Sequence, residues 1–256
     1  MDTVTSADGV TIAYERSGSG PALVIVNGAL STMASGAPLA PLLGGDFTVY
    51  RYDRRGRGES ADRDGSTPAN EVQDLAAIVE ATAEAPFVFG QSSGAALALE
   101  AAASGISMRG LVVHEPPYVP GPATTLQTAG ELAALAADGR RDEAVERFMQ
   151  GTGMSEAMIE RVKGSPGWRP LLALAHTLAY DVRVLNEGLV PEARLAAIAC
   201  PVLGTAGTLS APWAAASVRA IAGAVPRGEW RELEGQSHTV APEVLASLLR
   251  ERFLSP

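Results

Sequence analysis

The chain predicts an α/β fold, a mostly parallel sheet with helices on both faces and a helical cap inserted into it. Three observations lead there. Short apolar runs alternate with helical patterns almost from the start of the chain, as they do when helices form the crossovers between parallel strands. The alternation stops at Tyr118 and resumes near Leu195, with only helical patterns in between. And Gly90-Gln91-Ser92-Ser93-Gly94 stands where an apolar strand gives way to an alanine-rich helix. At 256 residues the chain is long enough for one sizeable domain with an insertion. The expected division is a core of residues 1–117 and 196–256 and a cap of residues 118–195.

In chain order, Thr11 to Tyr14 and Ala22 to Val26 read as strands around the turn Gly18-Ser19-Gly20-Pro21, and Phe47 to Tyr52 as the next strand. A helix from about Asn70 to Ala83 places Val72, Leu75, Ala76 and Val79 on one face. Phe87 to Gly90 leads into the serine and its helix, and Gly110 to His114 is a buried strand ended by Glu115-Pro116-Pro117, where two prolines forbid further pairing. The insertion carries helical patterns over Leu126 to Ala137, Arg141 to Gln150, Glu156 to Lys163 and Leu171 to Leu185, and its place after a strand's carboxyl end suits a cap over a site. Val202 to Thr205, a helix from about Ala211 to Ala222, Glu229 to Leu233 and a helix from about Pro242 to Phe253 complete the core.

The glycines around Ser92 have a steric reason. A serine held in a strained strand-to-helix turn needs small neighbours, so that strand and helix can approach closely. Ser92 then stands at a helix N-terminus, where the N–H of Ser93 points at the oxygen that becomes negative when Ser92 attacks a carbonyl. Ser92 needs a base, and the chain offers His114, His176 and His238. His238 lies in the polar loop between the last strand and the last helix, at the carboxyl edge of the sheet, and comes last in the chain order serine, acid, histidine. His114 reads as a core histidine and His176 as a cap residue.

The acid follows by elimination. No Asp or Glu occurs between Leu195 and Gly228, so the loop Ala206-Gly207-Thr208-Leu209-Ser210 has no carboxylate to offer. Glu115, at the end of the preceding strand, is one that can reach the imidazole and fix its tautomer; Asp181 in the cap is the alternative. A second oxyanion donor is expected in Asn27-Gly28-Ala29-Leu30, from the N–H of Gly28 or Ala29. Asn27 is expected to brace that loop. Trp168, His176, Tyr180 and Met154 are the candidate substrate-binding residues of the cap, each with core packing as its plainer reading.

A net charge of −9 argues against nucleic acid or an anionic membrane as partner. Lys163 is the sole lysine, and the run Arg51, Arg54, Arg55, Arg57 is interrupted by Asp53 and Glu59, which reads as a loop salt-bridge network. The single cysteine, Cys200, excludes an internal disulfide and reads as a small buried hydrophobe. Met1-Asp2-Thr3-Val4 has neither the basic start of a signal peptide nor an apolar span, so a cytoplasmic setting is expected. No cofactor and no metal is expected, since the histidines lack ligand spacing.

These residues resemble the α/β-hydrolase family along essentially the whole chain. The resemblance rests on Asn27-Gly28, on Tyr52-Asp53-Arg54-Arg55-Gly56-Arg57-Gly58-Glu59-Ser60, on the elbow Gly90-Gln91-Ser92-Ser93-Gly94, and on Gly235-Gln236-Ser237-His238. It implies the α/β-hydrolase fold and a turn-shaping, structural role for the Tyr-Asp-x-Arg-Gly-x-Gly-x-Ser segment. A glutamate after the sixth strand looks like the arrangement in lactonase-type members that open the macrolide ring of zearalenone, which implies Glu115 as acid without establishing a substrate. Asn27 and Gln91 depart from the histidines common at those positions. The expected function is a cofactor-free serine hydrolase acting on a small or medium ester or lactone. The alternatives are non-ester chemistry on the same fold, such as thioester hydrolysis, cyclisation or C–C cleavage, and a low-turnover ligand-binding protein. The oligomeric state is open, a homodimer included.

Overall fold

The computed structural model describes residues 1–254. Eight strands, β1 (Asp2–Thr5), β2 (Thr11–Gly18), β3 (Ala22–Val26), β4 (Thr48–Tyr52), β5 (Phe87–Gln91), β6 (Gly110–His114), β7 (Val202–Gly207) and β8 (Gly228–Leu233), form one sheet in the order β1-β2-β4-β3-β5-β6-β7-β8. From β4 through β8 every pairing is parallel, while β1 with β2 and β2 with β4 are antiparallel. β1 escapes the sequence reading because it is four residues long, largely exposed and mostly polar, so no burial pattern betrays it.

The central strands have no polar face, and their side chains sort by parity. Val24, Val26, Val88, Leu111 and Val113 enter one core cluster, whereas Leu23, Ile25, Phe87, Phe89 and Val112 enter the other. The first cluster is covered by α2 (Pro68–Glu80), α3 (Ser93–Ala103) and α10 (Pro212–Ala224), the second by the short α1 (Leu39–Leu43) and the terminal α11 (Pro242–Leu254). A Thr67/Asn70 capping box, with Pro68 in the first turn, starts α2 two residues before the apolar periodicity becomes visible. α3 is buried on almost every side, and its alanines let it lie close against β5.

The insertion folds as α4 (Leu126–Ala137), α5 (Arg141–Gly151), α6 (Glu156–Lys163), α7 (Trp168–Ala173) and α8 (Leu178–Arg183) around their own apolar cluster, which includes Leu132, Val145, Ile159, Trp168 and Leu178. α9 (Glu192–Leu195) packs instead on α3 and α10. The single helix expected over Leu171 to Leu185 is broken. At Ala175–Thr177 the chain tightens into a 3₁₀ turn, with the Thr177 hydroxyl donating to the Leu174 carbonyl, before α8 begins at Leu178. Thr177 of this turn lies against Gly56, where a Cβ would stand 3.0 Å from its Cγ2. Among the described residues no helix is long and apolar enough to cross a membrane.

Candidate active site

The parallel register brings the carboxyl ends of β3, β5, β6 and β7 to one edge, where Gly90 pairs with Val26, Gln91 with His114, and His114 with Thr205. Ser92 follows β5 at the N-cap of α3 with φ 57 and ψ −128, a strained backbone for a residue with a side chain. It is fixed on both sides: its N–H donates to the His114 carbonyl at 2.9 Å and its own carbonyl accepts from Ala95 N–H at 2.9 Å. The flanking glycines serve close approach. A Cβ at Gly94 would lie 2.3 Å from the Val26 carbonyl oxygen, and one at Gly90 would lie 2.7 Å from Ala95 Cα. Two more non-glycine residues with positive φ, Leu30 and Glu115, belong to the same edge, so backbone strain gathers there.

His238 comes to this edge on the loop after β8. Its Nδ1 donates to Glu115 Oε2 at 2.8 Å, which leaves the Nε2 lone pair for a proton acceptor's role. The imidazole is half-exposed, whereas Glu115 is fully buried. Burial pushes the Glu115 carboxyl up, but hydrogen bonds from His238 and from the Gly207 N–H at 2.8 Å outweigh it, with help from the nearby Ser210 hydroxyl, and hold it at about 2. Ser210 Oγ itself is buried without a well-directed partner. The strand end that lacks a carboxylate thus contributes a backbone donor to the carboxylate of its neighbour. Ser92 Oγ makes no hydrogen bond to His238 Nε2, a link that in an unliganded site can be left to form when substrate binds.

The histidine loop is clamped by residues that local sequence pattern does not single out. Gln91 Nε2 donates to the His238 carbonyl at 2.7 Å, which gives the unusual elbow residue a physical task. His114, fully buried and kept neutral chiefly by burial, accepts at Nδ1 from Thr205 Oγ1 at 3.0 Å and donates from Nε2 to the Ser237 carbonyl at 3.1 Å. Gly207 packs so tightly on Gln236 that a Cβ there would meet its carbonyl oxygen. The Trp213 ring lies 6.5 Å from the His238 ring, centre to centre.

The loop after β3 lies directly over the serine: a Cβ at Gly28 would stand 2.9 Å from Ser92 Cβ. Asn27 braces it by donating Nδ2–H to the Thr32 carbonyl at 3.0 Å. Arg57 donates to the Gly28 carbonyl at 2.9 Å, and because a trans peptide opposes its C=O and N–H, the Ala29 N–H turns away from that guanidinium. Ser93 N–H is a first-turn donor without a place in the helix ladder.

The arginine run forms salt bridges, but inside the protein. Arg54 pairs with Glu71 of α2 and with Asp181 of α8, Arg57 pairs with both Asp181 oxygens, and Arg55 pairs with Asp74 and Asp8. These arginine side chains are at most 2% exposed. Burial raises the Asp181 carboxyl, and the Arg57 and Arg54 charges more than reverse that, so it stays ionised. Asp181 therefore sits with guanidiniums and the Ser93 hydroxyl, and the histidine's partner is Glu115.

The cap candidates fall in different places. Trp168 is buried, its indole N–H donating to Asp142 at 3.0 Å, and Met154 packs at the border of the cap cluster to which Ala29 and Leu30 also belong. The Tyr180 hydroxyl lies 3.2 Å from Asp62, and burial followed by that carboxylate pushes it up to about 12. His176 Nε2 is 3.6 Å from the same Asp62. Both therefore face the loop after β4 rather than Ser92. Cys200 is buried just before β7, at the opposite edge of the sheet, and burial raises its thiol.

Residues 23–248 match the profile of the alpha/beta hydrolase family. An alpha/beta hydrolase from Sphaerobacter thermophilus superposes with a TM-score of 0.92 and is 45% identical, over 98% of this chain and 100% of that one. A thermophilic esterase from Thermogutta terrifontis (TM-score 0.78, 20% identity, 99% of this chain and 97% of that one) and an enol-lactonase from Burkholderia xenovorans (0.77, 18%, 99% and 100%) share the fold. Elbow, histidine loop and profile agree, and this chain belongs to the alpha/beta hydrolase family.

Proposed function

We propose that the chain is a serine hydrolase that cleaves a carboxylic ester or lactone through an acyl-enzyme on Ser92. The observation that carries this reading is the 2.8 Å contact between His238 Nδ1 and a fully buried, ionised Glu115, on the same sheet edge as a serine in a strained elbow. An isolated buried carboxylate is costly, and one aimed at a half-exposed imidazole is suited to stabilising the imidazolium that forms when serine gives up its proton. The esterase and enol-lactonase among the structural neighbours, and the resemblance of the Glu115 position to lactonase-type members, favour carboxylic esters and lactones as substrates.

In this mechanism Ser92 Oγ attacks the carbonyl carbon as His238 Nε2 takes its proton. The N–H groups of Ser93 and Ala29, with Gly28 keeping the loop close, receive the oxyanion, and each such donor is typically worth about 2.7–4 kcal/mol. His238 returns the proton to the leaving alkoxide, and a water activated by the same imidazole then releases the acid. Leu30, Met154 and the neighbouring apolar cap residues offer a surface to a small or medium apolar group, and Trp213 flanks the histidine. Of the other cap residues first weighed as substrate-binding, Trp168 serves the cap core, while His176 and Tyr180 serve the seam between cap and core. No cofactor enters the scheme, and a cytoplasmic setting suits the lone buried thiol.

The test is intact-protein mass after exposure to a fluorophosphonate, together with hydrolysis of p-nitrophenyl esters of increasing chain length. Wild type gains one adduct and turns over, and Ser92→Ala does neither. A wild type that neither labels nor hydrolyses any ester overturns the reading and leaves non-ester chemistry or ligand binding in its place.

A further inference from the structure

Both halves of the proposed oxyanion site are tied to one carboxylate of the cap. On one side the Ser93 hydroxyl donates to Asp181 Oδ1 at 2.7 Å, anchoring the residue whose N–H follows the nucleophile. On the other side Arg57 holds both Asp181 oxygens at 2.9 Å through one amino group, while its second donates to the Gly28 carbonyl at 2.9 Å. Arg54 bridges the two arms: it bonds Asp181 at 2.8 Å and lies 3.3 Å from both the Ser93 hydroxyl and the Asn27 carbonyl, with its far edge clamped by Glu71. Every charged member is at most 2% exposed, and the two carboxylates balance the two guanidiniums.

We propose that Asp181 is a positioning residue for the oxyanion site, so that docking of α8 against the core sets the separation and direction of the Ser93 and Ala29 N–H groups. The inference rests on the Ser92 reading above. Its physical basis is that oxyanion donors act only when fixed beforehand, and that a peptide whose carbonyl is held by a buried arginine cannot rotate its N–H away. The cap is then part of the catalytic machinery as well as a cover.

Charge and geometry predict opposite signs. Removing a negative charge beside a developing oxyanion favours it by Coulomb's law, whereas loosening the two donors disfavours it. The experiment measures kcat and KM for a p-nitrophenyl ester with Asp181→Asn and Ser93→Ala, normalised to active sites counted by the endpoint of fluorophosphonate labelling. The expected result is a kcat per labelled site lower by about 10- to 100-fold for Asp181→Asn and about 10-fold for Ser93→Ala, with KM within about threefold and the labelling rate falling in parallel. A purely structural role lowers the number of labelled sites and leaves kcat per site unchanged; that outcome, or a kcat that rises, overturns the proposal. If Asp181→Asn yields no labelled sites, Ser93→Ala decides, because it keeps both arginine pairs of Asp181: a kcat fall supports the proposal and an unchanged kcat overturns it. An inactive wild type overturns the Ser92 reading and this inference with it, whereas an active wild type with unaffected variants overturns this inference alone.

Discussion

Two fully buried carboxylates flank the candidate nucleophile, and they differ in what they face. Glu115, at the end of β6, meets a histidine that is half open to solvent and can change its charge. Asp181, on α8, meets two guanidiniums that stay charged at any working pH. A carboxylate beside a group that gains charge during the reaction stabilises that event. One beside permanent charge has nothing to respond to and holds its neighbours in place. Under the two proposals, the same residue class, equally buried, serves chemistry in one region and geometry in the other, and the partner decides which.

The difference can be broken most sharply at Glu115. Glu115→Gln keeps shape but loses the charge and the defined tautomer of His238, and kcat is expected to fall by about 10⁴, read by steady-state hydrolysis of a p-nitrophenyl ester. Asp181→Asn stands next, with the 10- to 100-fold loss given above. On stability the order reverses: Asp181→Asn leaves a buried positive charge uncompensated, a change that typically costs about 3–5 kcal/mol, visible as a lower urea midpoint. Gln91→Ala removes the clamp on the His238 carbonyl and is expected to lower kcat by about fivefold, the weight of one hydrogen bond of about 1 kcal/mol.

Acid separates the two regions differently. Glu115 is held at about 2 in the folded protein against an ordinary 4.5, so its stabilising contribution is complete above pH 4.5 and is lost as pH falls from there toward 2. Urea midpoints measured from pH 7 to 3 are expected to hold steady to about pH 5 and then drop, with a shallower drop in Glu115→Gln. An identical slope in wild type and variant contradicts this assignment.

Much of the fold was legible because the core strands are apolar on both faces and punctuated by helices, which leaves few alternatives to a parallel sheet. The elbow and the loop at Gly28 were legible because close backbone approach forces glycine there, and the pairing of His238 with Glu115 because β7 ends without a carboxylate. What escaped depends on contacts remote in sequence. Nothing local to Arg54 and Arg57 reveals an aspartate 127 and 124 residues away, and nothing local to Gln91 reveals a carbonyl 147 residues away. The break between α7 and α8 contains neither proline nor glycine to announce it, and its Thr177 packs against Gly56, remote in sequence. β1 escaped for the opposite reason, being an exposed edge strand whose backbone pairing imposes no apolar pattern.

The most direct measurement is kcat per fluorophosphonate-titrated site for Glu115→Gln and Asp181→Asn, side by side on one p-nitrophenyl ester. The division of roles predicts a loss near 10⁴-fold for the first and no more than about 100-fold for the second. A small loss at Glu115 with a larger one at Asp181 would contradict it and make the cap carboxylate the acid of the site.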